Sequence, residues 1–445
     1  MGRGCKNEYV ANIVIGTPTI SGGRVTVPID AGSARPYLAD RDLWFDYGRE
    51  LDLTHVEPAI ALLPALGTVI PIALAAGVGV TAPFVDAVFA GQIAPITAVI
   101  REMYPTLSNH PFSLEGEIVH GSAGDAGNGA MLLYSGGVDS FTSLVRRRDD
   151  VECLVSVWGA DVELEDVALW SLLEQVVARA PAKPGTRRLA VRTNFRSGLD
   201  DLRLNRDFDG NFAGTNWWAG IQHGLSLITI CAPITSALGL SRVLVASSFP
   251  ADIPTPWGST PQLDDLIRWT GGAGEHDSAD LTRQQKVTQV VVPFLAKHPT
   301  PLAVCYQVGR GGANANCGEC EKCLRTASGI LVAGGDPAWA SIPATTARLA
   351  AWQRLLESGT RKLGHGDFLA WEDIQNNVSR DDEAVDATVA GDYLRWLRTF
   401  DLVAITKPST PEPVVGRMSA WRYEAERVAH RLPYRVRRRL RRLVL

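Results

Sequence analysis

Cysteine is scarce in this chain, with seven in 445 residues. That number excludes a small disulfide scaffold. Charge is not biased either: Lys and Arg total 44 against 48 Asp and Glu, a net charge of −4. Such a balance makes no general case for a nucleic-acid partner. No internal repeat is visible, and the first residues lack the pattern of a secretory signal peptide, so the expectation is a reducing, cytoplasmic setting with free thiols. Apolar content of 46% and charged content of 21% are ordinary for a soluble protein with a large core.

One stretch without charge needs a membrane test. Pro58 to Val85 is long enough to span a bilayer. Pro58, Pro64, Pro71 and Pro83, with Gly67, Gly77 and Gly79, interrupt it repeatedly. The expectation is therefore a buried helix followed by a strand. Leu225 to Leu240 falls to the same argument, lying between helical Trp217–Gly224 and a strand at Val243 to Ala246.

The length suits two or three domains. Residues 1–120 open with β-rich runs (Tyr9 to Ile15, Arg24 to Ile29) and predict an N-terminal α/β domain. Residues 121–129, rich in glycine, predict a linker. In 130–335 strands at 131–134, 153–158, 189–193 and 243–247 alternate with helices at 140–148, 164–180 and 216–239. Alternation of this kind predicts an α/β fold with a parallel sheet covered on both faces, whose ligands bind beyond the strands' carboxyl ends. Residues 336–445 predict a helical region, with Val385, Val389, Tyr393, Trp396 and Leu397 forming a packing stripe. The last fifteen residues hold seven arginines and no acid. As a helix they would set Arg435, Arg438, Arg439 and Arg442 opposite Val436, Leu440 and Leu443, a face for weak contact with an acidic membrane surface or RNA backbone. A solvated tail is the alternative.

Two local patterns carry chemistry. The apolar run Met131 to Tyr134 leads into Ser135-Gly136-Gly137-Val138-Asp139-Ser140 and then a helical segment. Two glycines let the backbone turn sharply and approach an anion, the serines add hydroxyl donors, and the helix points its free N–H groups at the same spot. Asp139 is placed to hold Mg²⁺ or to cap the helix. Further on, Cys305, Cys317, Cys320 and Cys323 fall within nineteen positions. Two thiolates at x-x spacing grip one metal from a tight turn that Gly318 permits, and Cys305 completes a tetrahedral set from an expected strand, Leu302 to Tyr306. Zn²⁺ suits this set as a closed structural site; an iron–sulfur cluster is the alternative.

The hexapeptide resembles the PP-loop of the N-type ATP pyrophosphatases, which cleave ATP between the α and β phosphates. It departs from a Walker A loop, which ends in Gly-Lys-Ser/Thr, so γ-phosphoryl transfer is disfavoured. Leu281-Thr282-Arg283, Val304-Cys305 and Cys317-Gly-Glu-Cys320-Glu-Lys-Cys323, with Arg325 close behind, follow in order. Over about residues 128–335 the chain thereby looks like the cyano-deazaguanine synthase family of queuosine biosynthesis. Arg283 stands where that family has lysine, the first cysteine spacing is longer, and long segments flank both ends. The resemblance implies a relative with a different substrate: an ATP- and Mg²⁺-dependent ligase that adenylates a small carboxylate or amide and transfers nitrogen from ammonia or an amine.

In that scheme residues Ser135 to Ser140 hold the departing pyrophosphate and Asp139 helps place Mg²⁺. Arg283 and Lys286 neutralise phosphate from the far side, unless they belong to a solvated helix face. Ser247, Ser248, Asp252 and Trp257 follow a strand and suit a polar planar or carboxylate substrate; a proline-rich turn with Trp257 packed on the core is the alternative. His276 is a conceivable general base, and His223, within an apolar stretch, reads as a satisfied core residue. No glutaminase module is visible, and Cys5 would need to be N-terminal to act as one. Two other functions compete. Sulfur insertion needs a reactive thiol, which Cys153 and Cys231 in apolar runs do not suggest. A nucleotide sensor or scaffold would bind ATP without turnover. A homo-oligomer is compatible with the sequence.

Overall fold

The computed structural model describes residues 11–105, 107, 112–121, 127–208, 216–253, 255–305, 314–386, 388 and 390–406. Cys5, most of the glycine-rich linker, Tyr306, Val389 and the arginine-rich tail lie outside the described residues.

In chain order the first strands are β1 (Ile13–Ile15), β2 (Thr19–Ser21), β3 (Arg24–Val27), β4 (Ile29–Asp30) and β5 (Leu43–Asp46). Helix α1 (Pro58–Ala76), β6 (Val80–Asp86), α2 (Ala87–Met103) and β7 (Leu114–Val119) follow. Then come β8 (Gly127–Leu133), α3 (Val138–Arg146), β9 (Val151–Trp158), α4 (Val167–Ala178), β10 (Arg187–Thr193) and α5 (Asp201–Phe208). A π-helical turn, Trp218–Gln222, leads into α6 (His223–Ile230), α7 (Ala232–Leu238) and β11 (Leu240–Ala246). After α8 (Pro261–Asp264), β12 (Arg268–Trp269) and β13 (Gly272–Asp277) come α9 (Arg283–Lys286), a second π-turn (Val287–Val291) and α10 (Val292–Leu295). Five α-helices follow, α11 (Glu321–Val332), α12 (Thr346–Glu357), α13 (His365–Asn376), α14 (Asp382–Asp386) and α15 (Gly391–Thr399), and a 3-10 turn at Val403–Ile405 comes after them.

Nine strands form the main sheet in the order β12-β13-β11-β8-β9-β10-β5-β3-β2. Its centre, β13-β11-β8-β9-β10, is parallel throughout. Met131, Leu132, Cys153, Leu154, Val155, Val243 and Leu244 on its inner strands are fully buried, as a sheet covered on both faces requires. The chain runs outward from β8 through β9 to β10, then returns to β8's other side for β11 and β13. That reversal opens a crevice beyond the carboxyl end of β8, where doubly wound sheets bind ligands. Residues 135–140 occupy it.

The 1–120 segment, expected as a domain of its own, adds to this same sheet. Its β5 pairs antiparallel with β10 (Asp46 opposite Arg192), and β3 and β2 extend the edge. A second sheet, β4-β1-β6-β7, comes entirely from this segment, yet one hydrophobic core joins Ile60 to Ala73 with Val155, Leu225 and Val243. Likewise Gly127, Asn128 and Gly129, expected in a linker, begin strand β8.

The apolar run at 58–85 is the buried helix and strand it predicts. Helix α1 and the span Trp218–Leu238 are each long and apolar enough to cross a membrane, and both are mostly buried inside the fold. They pack against each other closely. A Cβ on Gly67 would stand 2.0 Å from Thr229 Oγ1. Pro71 has no N–H for the carbonyl of Gly67, four residues back; Ser226 Oγ donates to that oxygen at 3.1 Å, and Gln222 Nε2 donates to the carbonyl of Thr68 at 2.8 Å. The neighbouring helix thus repairs the gap that proline leaves. Helices α12 to α15 form a smaller core around Trp352, Trp371 and Leu397, and Tyr393 ties it back through Ser328 Oγ at 2.9 Å.

Candidate functional site

Strand β8 delivers Ser135 to the crevice, and helix α3 starts three residues later, at Val138, with Gly137 as its N-cap. Asp139, expected as a possible helix cap, sits instead inside the first turn, and no side chain caps this helix. Gly136 adopts φ +75°, which favours glycine, and a Cβ there would meet Val176 Cγ1 at 2.8 Å. Its carbonyl accepts the Ala303 N–H at 2.8 Å, which ties the loop to the segment before Cys305. Gly137 differs. Its φ is −77°, and a Cβ would meet nothing nearer than Ser135 Oγ at 3.4 Å. Glycine at 137 answers no steric demand of the loop itself; it keeps the floor of the crevice open. The two serine hydroxyls bond each other at 3.2 Å, and the Gly137 N–H reaches Ser135 Oγ at 3.4 Å. Bonds this long are weak and easily exchanged for an anion's oxygens.

The cations across the crevice come from α9. A capping box fixes that helix: Thr282 Oγ1 accepts from the Gln285 N–H at 3.1 Å, and Gln285 Oε1 from the Thr282 N–H at 2.8 Å. Arg283 and Lys286, three apart, then share one face. Both meet Asp139, Arg283 in close contact and Lys286 Nζ at 3.4 Å. A solvated helix face is excluded for Lys286, whose side chain is 0% exposed and donates to the Ser247 carbonyl at 2.5 Å. Burial, the largest influence, pulls the Lys286 amine below its ordinary range, against the attraction of Asp139. Burial also pushes the Asp139 carboxyl up, but Arg283 and Lys286 outweigh it and hold its pKa below the usual carboxylate value. The result is one anion held between two cations, beside the start of α3. A small cavity of about 10 Å³, room for about one water, adjoins it, lined by Val138, Arg283, Gln284, Arg325 and Thr326 among others.

The four cysteines converge. The Sγ atoms of Cys305, Cys317, Cys320 and Cys323 all lie within 4.8 Å of one another, the separation one metal ion needs. Gly318, at φ +71°, makes the tight turn between them. The N–H groups of Cys320 and Glu319 donate to Cys317 Sγ at 3.2 and 3.4 Å. The Cys305, Cys320 and Cys323 thiols, with the Glu319 N–H, hold the Cys317 thiol well below its ordinary pKa. Four sulfurs, closely grouped, two of them buried and two half-buried, fit a zinc ion. The strand expected at 302–306 is not one: Leu302 to Cys305 is irregular. It is pinned instead by Asn316, whose Oδ1 accepts the Val304 N–H at 3.0 Å.

The expected substrate residues are less tightly grouped. The hydroxyl of Ser247 donates to the Phe249 carbonyl, so this buried residue anchors Lys286 and offers no open hydroxyl. Ser248 is half-buried and Asp252 exposed. Trp257 is half-buried and sits edge-on to the half-buried Phe249, ring centres 5.6 Å apart. His276 is not an accessible base: its ring is 2% exposed and bonded through Nδ1 to Asp264 at 2.7 Å, itself bonded by Ser259 at 2.6 Å. His223, expected as a satisfied core residue, has a buried Nδ1 with no hydrogen-bond partner among the described residues. It packs edge-on to Trp218, whose indole donates to Asp161 at 2.8 Å. Asp161 and Trp218 escape the sequence reading; only the position of Asp161 just after β9, at a strand's carboxyl end, could have marked it.

Comparison of the chain with protein-family models, with curated proteins and with solved structures found no match.

Proposed function

We propose that this protein is an ATP-dependent ligase that moves AMP onto a small carboxylate or amide, releases pyrophosphate, and lets ammonia or an amine displace the AMP. The observation that carries this reading is the placement of Ser135-Gly-Gly-Val-Asp-Ser140 at the reversal of strand order, with Arg283 and Lys286 facing Asp139 from α9. Residues 135–140 would receive the β and γ phosphates on the serine hydroxyls and the α3 N–H groups. Arg283, a quarter exposed at its side chain, can exchange Asp139 for phosphate oxygens, while buried Lys286 stays as fixed positive charge. Charge that grows on the leaving pyrophosphate is met by groups already in place, which is where such catalysis draws its rate. Asp139 is the carboxylate at hand for the Mg²⁺ that accompanies ATP. A zinc ion on the four cysteines would leave no open coordination position and would serve as a cross-link.

Sulfur insertion is less well supported. Burial pushes the Cys153 thiol up to about 12 and raises that of Cys231 as well, and neither is exposed. Purified protein incubated with Mg²⁺–ATP, ammonia and a panel of carboxylic acids should release AMP and pyrophosphate. ADP and phosphate would contradict the assignment, and ATP binding without turnover across the panel would favour a sensor. Metal analysis should find one zinc per chain and no iron.

A further inference from the structure

The two cations of α9 are held in different ways. Lys286 is anchored from the sheet side, on the Ser247 carbonyl. Arg283 meets Asp139, and its buried Nε has no hydrogen-bond partner among the described residues. Once a phosphate replaces Asp139, the place of that guanidinium is set by the backbone it grows from. This backbone is held from the C-terminal helices. Asp373 of α13 accepts the Gln284 N–H on Oδ2 at 2.9 Å, from 89 positions away. The peptide plane that carries this N–H begins at the Cα of Arg283, so the bond fixes the root of the arginine side chain. A helix leaves such an N–H unpaired in its first turn, where a carboxylate is favoured. The capping box pairs the N–H groups of Thr282 and Gln285 and leaves this one to Asp373. Gln284 is buried, and its side chain is engaged by α11: Nε2 donates to the Gly329 carbonyl at 2.9 Å, and a Cβ on Gly329 would stand 2.6 Å from Oε1. Ala370 and Ile374 of α13 line the one-water cavity together with Arg283. The same helix is tied to α11, where Arg325 reaches Asp367 at 3.3 Å and Trp371 Nε1 donates to Glu321 at 2.9 Å. Helix α13 is thus built on α11 and reaches α9 with a carboxylate.

We propose that Asp373 is a positioning residue for Arg283, so that α13, which carries neither the serine–glycine loop nor a cysteine, completes the nucleotide site. This rests on the ATP reading of residues 135–140. An arginine that exchanges a carboxylate for phosphate oxygens binds best when its root is already fixed, because the ordering cost then falls on folding and not on binding. Asp373 touches no ligand; it acts through the first turn of α9.

The test uses the full-length protein, with melting midpoint and metal content measured for every variant. Calorimetry with Mg²⁺–ATP compares wild type, Arg283→Met, Asp373→Ala and the double variant. Arg283→Met should lose about tenfold or more in ATP affinity, the size of one charge-assisted hydrogen bond. Asp373→Ala should lose about fivefold in the wild-type background and less than about twofold in the Arg283→Met background, the mark of two residues that act as one unit. Asp373→Asn keeps an oxygen for the Gln284 N–H and should bind ATP within about twofold of wild type. A merely structural role would weaken binding alike in both backgrounds. An additive cycle, or an alanine variant that binds ATP like wild type, therefore overturns the role of Asp373 and leaves the ATP reading standing. Asp373→Ser, too short to reach this N–H, runs the same cycle if the alanine variant melts early. Wild type that binds no ATP overturns the ATP reading itself, and this proposal with it.

Discussion

Two adjacent glycines in the crevice are held by different demands, and substitution separates them. Alanine at 136 must adopt a left-handed backbone at a cost of about 1–2 kcal/mol and push against Val176. Gly136→Ala should lower the thermal midpoint and abolish nucleotide binding together. Alanine at 137 fits the loop, so Gly137→Ala should melt within about 1 °C of wild type while losing ATP affinity, because its methyl group occupies the space an anion needs. Equal losses of stability in both variants would contradict this division. Asp139 gives a second test at this scale. Its carboxyl titrates below the ordinary value of about 4 because Arg283 and Lys286 outweigh the effect of burial. The native state therefore binds fewer protons than the unfolded chain there, and the ion pair's contribution is complete above pH 4 and lost as pH falls through the depressed native value. Asp139→Asn leaves the buried Lys286 ammonium without its counter-charge and should cost about 3 kcal/mol at pH 7. Denaturant titrations should also show that the variant loses less stability than wild type between pH 5 and 2.

Elements reveal where the sequence was legible and where it was not. Local signals were sufficient for the Ser135–Ser140 turn and the cysteine turn, since each is a short run whose chemistry is complete within itself. They also sufficed for α1, where proline and glycine inside an apolar run argued for protein, not lipid, as the surroundings. Relations across the chain were not legible. Lys286 and Asp139 are 147 positions apart, and nothing near Lys286 announces that its ammonium is enclosed. No feature of β5 shows that its partner is β10. The close pairing of α1 with α6 belongs to the same class, because it depends on a glycine of one helix meeting a threonine of the other. Gly67→Ala would set a methyl group against Thr229 Oγ1 and the Leu225 carbonyl. Overpacking of this kind costs about 1–3 kcal/mol, so the urea midpoint should fall accordingly. Adding Thr229→Ala should recover part of the loss, since the Leu225 carbonyl still lies 2.8 Å from the new Cβ. A double-mutant cycle should therefore be non-additive.

At the scale of the whole molecule, the division at residue 120 that composition suggests is not a division of the core. Strand β5 covers the edge of β10, and β3 and β2 carry the sheet two strands further. Without them β10 would present unpaired N–H and carbonyl groups to solvent, an invitation to aggregate. The loss on the other side is larger. Helix α1 is buried along nearly its whole length, and part of what covers it is α6 and α7, the helices that follow the first π-turn. Removing α1 would uncover Leu225 and Thr229, both now fully enclosed and set against Gly67, and leave the donor groups of Gln222 and Ser226 without the α1 oxygens they bond. A fragment beginning at Gly121 contains both chemical patterns and most of the parallel sheet, so a protein built of separate domains would keep it folded. The shared core predicts the opposite. Expressed alone, the fragment should be insoluble or lack near-ultraviolet circular dichroism. Supplying residues 1–120 as a second chain should restore solubility. A monomeric, cooperatively melting fragment with zinc bound would show that the loop and the cysteine turn need only each other.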